Sequence, residues 1–203
     1  MSRTILAALA LSAFVAGCAT APPERQDNAC VMMEDNRGWW KAVTRTERRW
    51  GTPPALTLAI IKQESSFRHD ARPPRGDRRM LGLLPGERPS TAFGYAQALD
   101  STWDWYRKET GNGGADRHDF DDASDFIGWY TDKTRKTNGV PFSDPASHYL
   151  AYHEGHGGFS RQTFRKKAWL MDTANRVASN TARYDSQLAG CKRSLDGRFL
   201  GIF

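Results

Sequence analysis

In the stretch Ile60-Ile61-Lys62-Gln63-Glu64-Ser65-Ser66-Phe67, one carboxylate follows a run of apolar residues. Thr52 suits a helix cap, and Pro53 and Pro54 suit a first turn, where a missing N–H costs little. Ala55 to Ser66 then reads as a helix. At about 100° per residue, Leu56, Ile60 and Phe67 share one face, with Thr57 and Ile61 flanking it. Glu64 projects into the middle of that face. An ionised, unpaired carboxylate there is costly. The side chain is therefore expected beside a cleft, its pKa raised by desolvation, which is what a general acid requires. The competing expectation is a helix-end glutamate that frays into solvent.

Other residue types that carry chemistry are few. His148, His153, Glu154 and His156 cluster in sequence and could be weighed as zinc ligands. The HExxH spacing is absent, and Gly155 and Gly157 break the helix such a site would need. The expectation is one histidine at a cleft edge, the others at the surface, and no metal or other cofactor. Three cysteines are present: Cys18, Cys30 and Cys191.

The chain that must position these groups has 203 residues, 39% of them hydrophobic and 26% charged, with seven Trp and a net charge of +6. That length allows one domain with a sizeable core. A basic surface suits nucleic acid, anionic lipid or an acidic polymer, and the start of the chain decides among them. Arg3 precedes an apolar run from Ile5 to Val15, too short to span a bilayer and laid out as an export signal. Val15-Ala16-Gly17-Cys18 resembles the bacterial lipobox, in which the cysteine is lipidated and becomes the new N-terminus; the alternative is a plain signal peptide cut near Ala21. Ala19 fits outer-membrane sorting. Residues 1–17 are thus read as the signal, 18–33 as anchor and tether, and 34–203 as one domain facing the periplasm. Export argues against nucleic acid as a partner. In an oxidising compartment Cys30 and Cys191 are expected to pair and staple the termini, the alternative being two buried thiols.

Helical patterns fill the domain. Glu34 to Trp50 carries a stripe of Trp39, Val43 and Trp50, read as core. Residues 68–91 are rich in proline and glycine, with all their basic residues arginine; a loop this long is either a functional cover or a solvated insertion. A helix from Asp100 or Ser101 to about Glu109 ends before Gly111-Asn112-Gly113-Gly114. Asp121 to Thr137 turns Phe126, Trp129 and Tyr130 inward. Ala146 to Glu154 stops at Gly155, Gly157-Gly158 reads as a turn, and a last helix from about Arg161 to Leu188 buries Phe164, Ala168, Leu170, Met171, Ala174, Val177 and Ala178. No period-two stretch is sustained, so the fold class is mainly α, with little or no β-sheet.

Three segments then line up with one family. Glu64-Ser65-Ser66-Phe67, Ala92-Phe93-Gly94-Tyr95-Ala96-Gln97 and Leu150-Ala151-Tyr152-His153-Glu154-Gly155 resemble, in order, the E-S-x-F, A-x-G-L-M-Q and A-Y-N-A-G signatures of the lytic transglycosylase (SLT domain) family of the lysozyme-like superfamily. The resemblance covers about Thr52 to Leu188. It implies packed helices around a glycan cleft, with peptidoglycan strands as substrate. Glu64 takes the place of the catalytic acid. Gly94 and Gln97 match the ends of a turn lining the sugar cleft, and Tyr152 the tyrosine that holds the acid. Tyr95 and Ala96 replace Leu and Met, His153 replaces Asn, and Ser90 is the nearest counterpart of the family serine. The cleft is expected to be walled by Tyr95, Gln97, Tyr152 and His153, with residues 68–91 inserted at its edge.

Most glycoside hydrolases use two carboxyl groups. The resemblance implies one: Glu64 protonates the glycosidic oxygen between MurNAc and GlcNAc, then takes the proton of the MurNAc 6-hydroxyl as a 1,6-anhydro ring closes. Two alternatives stand beside it. One is a non-catalytic peptidoglycan-binding lipoprotein. The other is a hydrolase of the same polymer or of chitin, needing a second carboxylate such as Asp70, Asp100 or Asp144. The positive charge suits the lactyl and peptide carboxylates of the glycan, or solubility alone.

Overall fold

Ala55 to Ile61 places an apolar or small side chain at every position, and a helix apolar all round is stable only when enclosed. In the computed structural model, which describes residues 21–76 and 87–197, this stretch lies in helix α3 (Pro54–Ser65), with Ala55 through Ile61 buried without exception. The apolar face expected from periodicity is thus a whole circumference. Thr52 is not its cap. Pro53 takes the N-cap position, and Thr52 Oγ1 turns inward to the Thr131 hydroxyl at 2.8 Å and the Gly128 carbonyl at 3.3 Å.

Helices enclose it in chain order: α1 (Ala29–Asp35), α2 (Arg37–Trp50), α4 (Asp100–Thr110), α5 (Phe120–Asn138), α6 (Pro145–Ser160) and α7 (Ala168–Leu195), with a 3-10 turn (Thr163–Lys166) before α7. Among the described residues the β content is one isolated bridge, Phe93 to Ala98, so the architecture is mainly α as expected. No described helix is long and apolar enough to cross a membrane. Residues 1–20, which include the expected export signal and Cys18, and residues 77–86 of the arginine-rich segment lie outside the described residues.

The expected first helix is divided at Asn36, whose backbone leaves the helical region. The extra piece, α1, begins ahead of the domain start expected at 34, and it buries Ala29, Met32 and Met33. Asn28 caps it by accepting from the Val31 N–H. The segment before α1 is docked too. Asp27 pairs with Lys62 and with Arg183 at 3.0 Å, and the Tyr184 hydroxyl donates to the Gln26 carbonyl. Cys30 and Cys191 form the expected disulfide, with Cα atoms 5.9 Å apart, joining α1 to α7.

Aromatic packing fixes the opposite side. Trp39 of α2 stacks on Phe120 at 4.1 Å between ring centres and on Phe67 at 5.7 Å. The Asp125 carboxylate of α5 ties three helices together, accepting from Trp50 Nε1 at 2.8 Å, Arg49 at 2.9 Å and the Tyr106 hydroxyl at 2.8 Å. Phe126, Trp129 and Tyr130 are buried, as read from the sequence. The last helix begins later than expected, at Ala168. Phe164 falls in the 3-10 turn, and Met171 is exposed. Gly157 and Gly158 are helical rather than a turn. α6 kinks at Gly155, whose φ of 72° and ψ of 158° leave the helical region, and then resumes to Ser160.

Candidate active site

The E-S-S-F segment shows why those residue types end α3 as they do. Ser65 Oγ donates back to the Ile61 carbonyl at 3.1 Å. Ser66 closes the helix in the left-handed region, and Phe67 follows at a φ of 60°. Two successive non-glycine residues at positive φ are strained. Phe67 offsets this by burying its ring completely against Trp39. Glu64 is thereby left in the final turn of the buried helix, half-buried and facing a cleft of about 430 Å³.

Loss of hydration pushes the Glu64 pKa up to about 7, against a smaller opposing effect from a hydrogen bond with Tyr149. Burial and the Glu64 carboxylate together push the Tyr149 hydroxyl far above its usual range. Tyr149 therefore donates to Glu64 rather than sharing its proton with it. Tyr152, expected in that role, donates instead to the Ala96 carbonyl at 2.6 Å. Its ring lines the cleft, and its own pKa is raised by burial first and by Glu64 next. Sequence reasoning passed over Tyr149. The available signal was its position three residues before Tyr152, on the same helical face.

The A-F-G-Y-A-Q segment forms the facing wall. Gly94 adopts a φ of 75°, and a Cβ there would sit 2.1 Å from the Arg117 carbonyl oxygen; only glycine fits. Gln97, also at positive φ, donates its side-chain amide to the carbonyls of Ala71 and Gly94, both at 2.8 Å. It lines the cleft near Glu64. Tyr95 does not wall the cleft. It is 1% exposed and packs edge-on against Trp39 and Phe120, because its ring fills the core beneath the turn. Gly94 is likewise buried and shapes the turn from behind. Ser90 stands in a neighbouring groove with Arg72 and Arg88, its Oγ accepting from the Ala92 N–H at 3.3 Å.

From α6 the cleft receives Tyr152, His153, Glu154 and Gly155. Burial alone would raise the Glu154 pKa. Hydrogen bonds from Lys167, Thr163 and His153 outweigh it and bring the value to about 2. The cleft thus holds two carboxyl groups with opposite tendencies, one drawn toward the neutral acid and one kept ionised. Asp70, Asp100 and Asp144 do not line it; Asp100 pairs with Arg117 at 2.8 Å, and Asp144 caps α6 through the Ser147 N–H.

The residues weighed for zinc diverge. His148 is fully buried and stacked on Phe142, His156 stacks on Tyr130 and meets the Thr134 hydroxyl, and His153 meets Glu154. Among the described residues no three metal-ligating side chains converge.

Comparison with known sequences is consistent with this arrangement. The family model described as the transglycosylase SLT domain matches residues 6–191. No curated protein matches the chain.

Proposed function

The chain belongs to the transglycosylase SLT-domain family, whose activity is lytic transglycosylation of peptidoglycan, and from that premise we propose that Glu64 is its catalytic acid and base. The protonated carboxyl gives its proton to the glycosidic oxygen as the MurNAc C1–O bond breaks. The resulting carboxylate takes the proton of the same sugar's 6-hydroxyl, whose oxygen bonds to C1. The products are a free GlcNAc 4-hydroxyl and a 1,6-anhydro-MurNAc end. No water is consumed, and Glu64 is reprotonated.

One observation carries this reading: the carboxyl of Glu64 stands at a cleft with its pKa pushed up to about 7, close to the operating pH, where acid and base steps balance best. A mechanism with two carboxyl groups is disfavoured by the state of the second one. Glu154 already accepts from Lys167, Thr163 and His153, so its oxygens are committed within the protein and poorly placed to activate water. A binding-only protein has no need of a carboxyl that is costly to bury.

We place the protein on the periplasmic face of the outer membrane, anchored by lipid on Cys18. The support is the sequence Val15-Ala16-Gly17-Cys18-Ala19 behind an apolar run. Digestion of purified peptidoglycan with product masses recorded tests the activity. Anhydro ends, one water lighter than hydrolysed ends, are expected from the parent chain and none from Glu64→Gln. Reducing ends would make the protein a hydrolase, and intact sacculi a binder.

A further inference from the structure

Past Tyr152 the cleft is lined on α6 by His153 and Glu154, the two positions at which the third signature segment departs from A-Y-N-A-G, and His153 in turn meets Trp169 at the start of α7. Glu154 has only 4% of its side chain exposed, yet it is ionised. Its Oε1 accepts from Lys167 Nζ at 2.6 Å and lies 3.0 Å from His153 Nδ1, and its Oε2 accepts from the Thr163 hydroxyl. An ionised carboxylate can only accept, so His153 must carry a proton on Nδ1. In the neutral ring that leaves Nε2 as the acceptor, on a side chain that lines the cleft and is 34% exposed.

Trp169 stands against this histidine, ring centres 5.2 Å apart and nearly perpendicular. It is 56% exposed, the largest value among the exposed large hydrophobic side chains of the described residues. Burying a large, stiff, amphipathic indole face gives much contact area for little lost conformational freedom. An indole left in solvent beside a histidine that lines the cleft is therefore suited to receive a pyranose ring.

We propose that Trp169 and His153 form a saccharide subsite continuing the cleft, with Glu154 as the residue that positions His153. Trp169 stacks on the apolar face of an N-acetylhexosamine, and His153 Nε2 accepts from a hydroxyl or the acetamido N–H of that sugar. Glu154 touches no sugar; it sets the tautomer and the angle of the imidazole, held in turn by Lys167 and Thr163. This extends the reading of the same cleft given above and rests on it.

The test measures chitotetraose affinity by calorimetry on the full chain carrying Glu64→Gln, in which no bond is cleaved. Trp169→Ala, at an exposed position where folding is safe, is expected to weaken binding about tenfold, with Trp169→Phe recovering most of the loss. Glu154→Gln is expected to weaken it about as much as His153→Ala, and the double variant no more than His153→Ala alone, since one acts through the other. Unchanged affinity in Trp169→Ala, or absence of measurable affinity in the Glu64→Gln chain, overturns the subsite. A Glu154→Gln variant that melts earlier but binds unchanged, or losses from Glu154→Gln and His153→Ala that simply add, overturn the positioning role. Failure of the catalytic reading looks different: sugar binding follows this pattern while the parent chain releases no anhydro ends from sacculi.

Discussion

Glu64 works against the fold that holds it. Its pKa in the folded chain is about 7 against an ordinary 4.5, so between these values the folded state binds the proton more tightly than the unfolded one. Stability from this group is complete below the unfolded value and is lost as pH rises through about 7. The shift corresponds to about 3 kcal/mol at most, since a half-buried group keeps some hydration. Glu64→Gln should therefore abolish cleavage and raise the melting temperature at pH 8, with no gain near pH 4; equal gains at both would show that titration is not the cause. Tyr149 acts in the opposite sense, its hydrogen bond lowering the Glu64 pKa. In Tyr149→Phe the alkaline limb of kcat/KM should move to higher pH and kcat should fall about tenfold or more, as the carboxyl loses its orientation. A pH–rate profile checks both. Glu64 was legible in the sequence because a carboxylate at the end of an apolar helix is a local anomaly. Tyr149 was not, because a tyrosine on an amphipathic helix gives no sign of which hydroxyl will meet the acid. Tyr95 misled for a related reason: its place in a signature segment does not reveal that a strained turn sends its ring inward.

Most helices were legible from apolar spacing and from the residues that stop them, such as the left-handed Gly111 after α4; the Asp119 cap and the Gly139 end of α5 were not read from the sequence. Periodicity failed for α3, because a helix buried on all sides has no preferred face. It also failed at Asn36 and Gly155, where tertiary contacts decide whether a break ends the helix or only kinks it. α6 contains one element-scale liability. His148 is fully enclosed and stacked on Phe142, and neither ring nitrogen has a well-formed hydrogen bond among the described residues. Burial lowers its pKa to about 4, against upward pulls from Asp144 and the Pro141 carbonyl; Arg135 adds to the lowering. The unfolded chain therefore takes up a proton that the folded chain refuses. Stability is complete above about pH 6.5 and declines as pH falls toward 4, by about 3 kcal/mol. His148→Phe, which preserves the stack, should flatten that acid decline in melts recorded between pH 7 and pH 4. An unaltered decline would assign it to other groups.

Across the molecule, the two ends of the domain are closed on each other. The Cys30–Cys191 disulfide spans 161 residues of sequence, and Asp27, Gln26 and Tyr184 add polar contacts beside it. The Gln26 amide also donates to the Ser66 carbonyl at 3.1 Å, so the N-terminal segment is latched to the turn that follows Glu64. Closing so long a loop stabilises by about 5 kcal/mol in the chain-entropy account, an upper figure. Reduction, or Cys191→Ser, should lower stability by several kcal/mol in denaturant unfolding while the alkaline limb of the rate profile stays in place; a shifted limb would mean that the staple shapes the site itself. The pairing was legible from the oxidising compartment expected of the chain and from the number of cysteines, whereas the helix that carries Cys30 was hidden among residues read as tether. The account as a whole depends on one carboxyl staying protonated at neutral pH beside the cleft. Carbon NMR titration of selectively labelled glutamate, with the Glu64 signal assigned by its loss in Glu64→Gln, measures that directly. A midpoint near 7 is the result this account predicts, and a midpoint near the ordinary 4.5 would contradict it.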